Sequence, residues 1–242
     1  RPSDPPMTGP VRPPRRMLEE LDYQPTPIGP VSLRRRWIPA IETDVFEVML
    51  GDEHLMSSLF TVGETRLAEL GLDWADGAAL KVLVGGLGLG YTAHAALADG
   101  RVASVEVAEY LAPVIDWHRR GLTPLGAALS ADPRCTFRHI DFFALVAAPD
   151  QRWDAILLDI DHAPDRWLAP AHADFYGEAA LARLRDALAP GGVFALWSDD
   201  GPDPAFLARL SAVFATVDAV EVPFPNPMTG GASRCTIYRA KG

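Results

Sequence analysis

Cysteine is nearly missing from this chain: two among 242 residues. Cys135 and Cys235 sit in separate segments without the paired spacing of a zinc site or a redox dithiol, so a disulfide framework is excluded. Each is expected as a reduced, half-buried strand residue. Basic residues are also in deficit, with 22 Lys and Arg against 32 Asp and Glu, a net charge of -10 and a pI near 5.0. That balance excludes a nucleic-acid partner, because tracking phosphates needs clustered cations that displace counterions. A cationic partner suits such a surface better. No apolar run approaches the roughly 18 residues that span a bilayer. The opening RPSDPPMTGPVRPPRR lacks the apolar middle of a signal peptide. No membrane partner is expected, and the cytoplasm is the expected address.

What the chain does have is 48% hydrophobic and 22% charged residues, enough for one large core. Three stretches are expected. Residues 1–16, proline-rich and aperiodic, read as a disordered tail. Residues 17–59 hold short β-forming runs (PIGPVSLRRRW, DVFEVML, EHLMSS) between turn residues and predict a small antiparallel β unit. Arg34, Arg35 and Arg36 cannot all face one side of a strand, so they are expected on a solvated strand edge or turn. Residues 60–242 open with helical spacing at Phe60, Leu67 and Leu70.

From Leu80 onward, apolar strand runs alternate with amphipathic helices. The strands are LKVLVG, RVASVEV, RCTFRH, WDAILLD and GVFALWS, with helices beginning near Tyr91, Tyr110, Phe142, Asp174 and Asp203. Continuous runs such as AILLD suit strands covered on both faces. TVDAVEV and SRCTIYRA follow with no helix between them and predict a closing hairpin. The expected fold is α/β: a doubly wound, seven-stranded, mostly parallel sheet forming a Rossmann-like nucleoside-binding catalytic domain.

The sharpest motif is KVLVGGLGLGYTA, where a strand runs straight into Gly85, Gly86, Leu87, Gly88 and Gly90 before a helix. Alternating glycines let the backbone turn tightly and approach a ligand. The dinucleotide fingerprint fails because its last glycine would be Tyr91, and no phosphate cradle of the G-x-x-x-x-G-K-[ST] kind exists. Glu106, followed by Val107, closes the next strand run about 20 residues on, where an acid accepts from ribose hydroxyls. Asp141 follows the third strand and is placed to accept from an adenine amine, with Phe142 covering the ring. It is equally placed to cap the helix at Phe142.

Ligands of open parallel sheets lie off the carboxyl ends of the strands. This points to Asp159, Asp161 and His162 after the fourth strand, and Asp199 and Asp200 after the fifth. Carboxylates there suit a cationic amine, and one of them or His162 can take its proton. The structural alternatives are that Asp199 or Asp200 caps the helix near Pro204 and that His162 bonds a loop carbonyl. Asp159, Asp199 and Asp200 together are a weaker candidate for a magnesium site of the catechol O-methyltransferase kind; otherwise no metal is expected.

Taken in order, VLVGGLGLG, the acid of VEV, the Asp of HIDFF, WDAILLDIDHAP and the late VPFPNPMTGG resemble the spermidine synthase family, over about residues 23–241. The resemblance implies the fold of S-adenosylmethionine-dependent methyltransferases, decarboxylated S-adenosylmethionine as donor, an amine or polyamine acceptor, and a homodimer or homotetramer. Asp159 carries over. The family's glycine-loop Asp does not, since Gly88 stands there, and the D-S-x-D-P segment reads Asp159, Ile160, Asp161, His162, Ala163, Pro164. Val62 and Gly63 likewise precede Glu64 where the family has Tyr-His-Glu. Three functions therefore follow: aminopropyl transfer, methyl transfer from S-adenosylmethionine to a small acceptor, or a nucleoside-binding scaffold without catalysis.

Overall fold

The computed structural model describes residues 16–242, so the expected tail lies outside the described residues apart from Arg16. The chain opens with an antiparallel meander, β1 (Leu18–Gln24), β2 (Val31–Ile38), β3 (Thr43–Leu50) and β4 (Glu53–Ser57), hydrogen-bonded in chain order. Val31 and Leu33 are fully buried on one face of β2, as a two-residue period requires. The arginine run is not on an edge. β2 is interior, and Arg34, Arg35 and Arg36 are matched by Glu20, Glu19 and Glu47 on the flanking strands. Cross-strand ion pairs are what let a central strand carry three cations.

The second sheet begins after α1 (Val62–Asp73) and consists of β5 (Leu80–Gly85), α2 (Tyr91–Ala98), β6 (Val102–Glu109), α3 (Ala112–Arg119), α4 (Gly126–Ala131), β7 (Cys135–His139), α5 (Phe142–Ala147), β8 (Trp153–Leu158), α6 (Glu178–Asp186), β9 (Leu188–Ser198), α7 (Pro204–Val213), β10 (Thr216–Asn226) and β11 (Gly231–Lys241). Its order is β10-β11-β9-β8-β5-β6-β7, parallel except where β11 pairs with β9 and β10. This is the expected doubly wound, seven-stranded sheet. The first strand, β5, lies between β6 and β8, so the chain winds away from it on both sides and opens a crevice at its carboxyl end.

Three details differ from the expectation. β6 runs two residues past Val107 to Glu109, because Ala108 and Glu109 still pair with Arg138 and His139 of β7. The helix expected near Asp174 is a 3-10 turn, Pro170–Tyr176, and α6 starts only after Gly177. The cap of α7 is Asp203, accepting from Ala205 N at 2.9 Å, and neither Asp199 nor Asp200. Cys135 is half-buried as expected, whereas Cys235 is buried, and both are free.

The sheet is covered on both faces, which explains its continuous apolar runs. Val82 and Val84 pack with Leu67, Val107 and Trp117 on one side; Leu83, Ile156 and Leu158 pack with Phe142, Phe175 and Phe194 on the other. The meander joins the first of these cores through Val31, Leu33 and Val48. Trp117 Nε1 donates to Asp22 across the junction at 2.8 Å. The small sheet is thereby seated over the glycine loop.

Candidate active site

A cavity of about 330 Å³ opens at the carboxyl ends of β5, β6 and β8, a volume within the usual range for small-molecule sites. Its floor is the glycine loop. Gly86 has φ +94°, and a Cβ there would lie 2.4 Å from the Asp159 carbonyl oxygen. Only glycine lets the loops after β5 and β8 meet, and Asp159 N seals the junction by donating to Gly85 O at 2.9 Å. At Gly88, φ +50°, a Cβ would lie 2.5 Å from Met56 Sδ, which also accepts from Leu89 N at 3.0 Å. The meander thus roofs the loop with a thioether at the position where the resembling family carries a carboxylate.

Gly86, Leu87 and Gly88 line the cavity, as expected. Gly85 sits beneath it, too close to Phe142 for any side chain, and Gly90 forms the left-handed start of α2. Asp141 and Phe142 also line it. Asp141 caps α5 with Oδ1, accepting from Phe143 N at 2.9 Å, so capping and a place in the cavity coexist.

Glu106 must be corrected. It lies mid-strand with its side chain turned away from the cavity, paired with Arg138 at 3.1 Å and accepting from Gln151 at 3.0 Å. Val107 is likewise a core residue and no part of the cavity wall. The acid at the strand end is Glu109, three residues on, lining the cavity and accepting from Leu87 N at 2.9 Å and Leu111 N at 2.7 Å. Burial raises its pKa, and the backbone N–H groups of Leu111, Leu87, Gly88 and Tyr110 offset part of that rise.

Asp159, Asp161 and His162 all line the cavity but do different things. Asp159 has its pKa pushed up to about 7 by burial, partly opposed by His162. Facing it is Glu64 from the first turn of α1, pushed up to about 8 by burial and by the Asp159 charge. Two carboxyls in one desolvated space cannot both ionise freely, so the pair retains a proton near neutrality. Asp161 is turned inward: its carboxylate, 2% exposed as a residue, accepts from Leu168 N at 2.7 Å, His172 Nδ1 at 2.7 Å and Tyr176 OH at 2.8 Å. It organises the segment after β8. His162 Nε2 bonds Glu53 of β4 at 2.7 Å and not a loop carbonyl, joining that segment to the meander.

The proposed metal trio does not assemble. Asp199 and Asp200 are exposed and pair with Arg166 at 3.6 and 3.0 Å, outside the cavity that holds Asp159. Among the described residues no group of three or more His, Cys, Asp or Glu is placed to hold a metal ion. Sequence reasoning missed Glu109, Tyr91, Trp197 and His172 as lining residues and gave Glu64 no role. Among the described residues the cavity is lined by five carboxyls, Glu64, Glu109, Asp141, Asp159 and Asp161, by His162 and His172, and by no Lys or Arg.

Neither a protein-family model nor a curated protein matches this sequence. Solved structures do match. A spermidine synthase in complex with the transition state analogue AdoDATO superposes with a TM-score of 0.71 at 18% identity, over 92% of this chain and 72% of that one. The spermidine synthase of Thermotoga maritima gives 0.72 at 18% identity over the same shares. A probable spermidine synthase from Corynebacterium glutamicum gives 0.65 at 16%, over 92% of this chain and 79% of that one. The fold of this chain is that of the spermidine synthases, meander and seven-stranded sheet together.

Proposed function

We propose that this chain is a transferase that binds decarboxylated S-adenosylmethionine in the cavity and passes its aminopropyl group to an amine. The observation that carries the proposal is the charge of the lining: five carboxyls and, among the described residues, no Lys or Arg. A decarboxylated donor is cationic at both its sulfonium and its tail amine, and a polyamine acceptor is cationic throughout. Both are favoured by that wall. The carboxylate of intact S-adenosylmethionine would meet no Lys or Arg among the described lining residues.

The adenosine would lie along Leu87, Asp141 and Phe142, with ribose hydroxyls donating to Glu109. In the transfer, the acceptor nitrogen's lone pair attacks the methylene bonded to sulfur. The C–S bond breaks with its electrons remaining on sulfur, and neutral methylthioadenosine leaves. That lone pair is freed beforehand, when the acceptor's attacking ammonium gives a proton to Asp159, whose raised pKa suits it to accept near neutral pH; the product remains a secondary ammonium. Held by the two loops, the acid adds no entropy cost at that moment.

One observation favours a second reading, methyl transfer from S-adenosylmethionine. Gly88 under Met56 leaves the tail subsite without the acid expected there. Product analysis decides between them. Enzyme with decarboxylated donor and a panel of diamines and polyamines should release methylthioadenosine and an aminopropylated amine. Release of S-adenosylhomocysteine from S-adenosylmethionine, with no methylthioadenosine from any amine, would replace the first reading by the second.

A further inference from the structure

We infer that His172 reads the exocyclic amine of the bound purine and, with Asp141, makes the cavity specific for 6-aminopurine over 6-oxopurine nucleosides. The inference rests on the adenosyl reading above and adds to it a recognition residue. His172 sits in the 3-10 turn and lines the cavity, with its side chain 18% exposed. Its Nδ1 is committed to Asp161 at 2.7 Å. That carboxylate already accepts from Leu168 N and Tyr176 OH and can only accept again, so Nδ1 carries the proton. In the tautomer with that proton the remaining lone pair is on Nε2, which none of the hydrogen bonds among the described residues occupies.

One residue positions both acceptors. The backbone N–H of Phe143 binds Asp141 Oδ1, and its ring packs on the His172 imidazole with centroids 4.2 Å apart. Phe143 itself lines the cavity and rests on Phe175. Asp141 and His172 therefore flank the same residue of the cavity wall, and we place the second oxygen of Asp141 and the Nε2 lone pair of His172 toward the ligand there. An exocyclic amine has two N–H groups to give, one to each. A 6-oxo group would bring lone pairs against two acceptors and leave both unpaired in a desolvated place, the kind of mismatch that sites built on hydrogen bonds reject most strongly.

Calorimetric titration with methylthioadenosine and methylthioinosine tests this on the wild-type protein and on His172→Phe, which keeps a ring against Phe143 but removes Nε2. The wild type should prefer the amino nucleoside by a hundredfold or more. His172→Phe should lose about tenfold of that preference, Asp141 retaining the rest. An independent readout needs no variant: nitrogen NMR of histidine-labelled wild type should show Nε2 of His172 unprotonated and shifting when methylthioadenosine is added. Binding of methylthioadenosine with unchanged preference in His172→Phe, or a proton on Nε2, overturns the inference alone. If neither nucleoside binds the wild type, the adenosyl reading falls and this inference with it.

Discussion

At the scale of single residues, the cavity places carboxyls where water has been removed. His162 offsets only part of that loss at Asp159, and nothing comparable offsets it at Glu64, so the charged forms of the pair are held at high energy. If Asp159 takes the proton as proposed, removing it should cost rate and spare binding. Asp159→Asn is expected to lower kcat by about 10²–10⁴, the usual weight of a positioned base, with methylthioadenosine affinity within about threefold of wild type. Steady-state rates and calorimetry on the same preparation check both halves. A second contrast concerns the two strand acids. Glu109→Gln loses a charge-assisted hydrogen bond worth about 1.5–3 kcal/mol and should weaken methylthioadenosine binding at least tenfold. Glu106→Gln weakens only contacts away from the cavity, the pairing with Arg138 and the bond from Gln151, and should leave that affinity unchanged. Equal effects from the two would mean the ribose is not held at the end of β6. The confusion between these acids has a physical source. The run RVASVEV alternates only from Ala103 to Val107, and nothing in the following Ala108 and Glu109 announces that β7 is long enough to keep them paired.

At the scale of elements, most of the architecture was legible because each βα unit must bury its own apolar face. Strand runs such as AILLD read as covered on both sides, and they are. Less legible was anything decided by contact between distant segments. Glu64 lies on α1, ahead of the first βα unit, and enters the cavity only because α1 packs across β8 and β9. Asp161 and His162 are neighbours with interchangeable chemistry on paper; which one turned inward was decided by Leu168, His172 and Tyr176, up to 15 residues away. α1 makes its close approach at Gly71, where a Cβ would lie 2.6 Å from Leu157 Cδ2 and 3.1 Å from Ala195 Cβ. Gly71→Ala should raise intrinsic helix stability by about 1 kcal/mol. The overpacking against β8 and β9 works against it by about 1–3 kcal/mol. The expected net result is a loss of up to about 2 kcal/mol in urea denaturation, and a fall in activity, since β8 leads directly into Asp159. A stabilised variant with full activity would show that α1 and the sheet are not closely packed there.

At the scale of the whole molecule, the site should be visible as a cost to folding. Both acids of the pair have folded-state values above the ordinary carboxylate range, about 7 for Asp159 and about 8 for Glu64. Between the unfolded values near 4 and these folded values, the native state binds more protons than the unfolded chain. Stability therefore falls as pH rises through that interval. Glu109, raised by burial, adds to the same trend. His118 and His54, lowered by burial, act in the opposite sense, but only below the ordinary histidine value of 6.5. The clean window is thus pH 6.5 to 8. Across it the unliganded protein should lose stability, with a slope of at most about 1.4 kcal/mol per pH unit for each proton released. Asp159→Asn combined with Glu64→Gln should flatten that slope and stabilise the protein at pH 8 by about 1–3 kcal/mol, while abolishing transfer. A diamine that reaches the pair should do by binding what the double variant does by substitution, raising the melting temperature of the wild type more at pH 8 than at pH 6.5 and leaving the variant unmoved. Melting curves across this window, with and without diamine, decide the matter: equal slopes in wild type and double variant would mean that the two carboxyls ionise without strain, and that the cavity's charge has been misassigned.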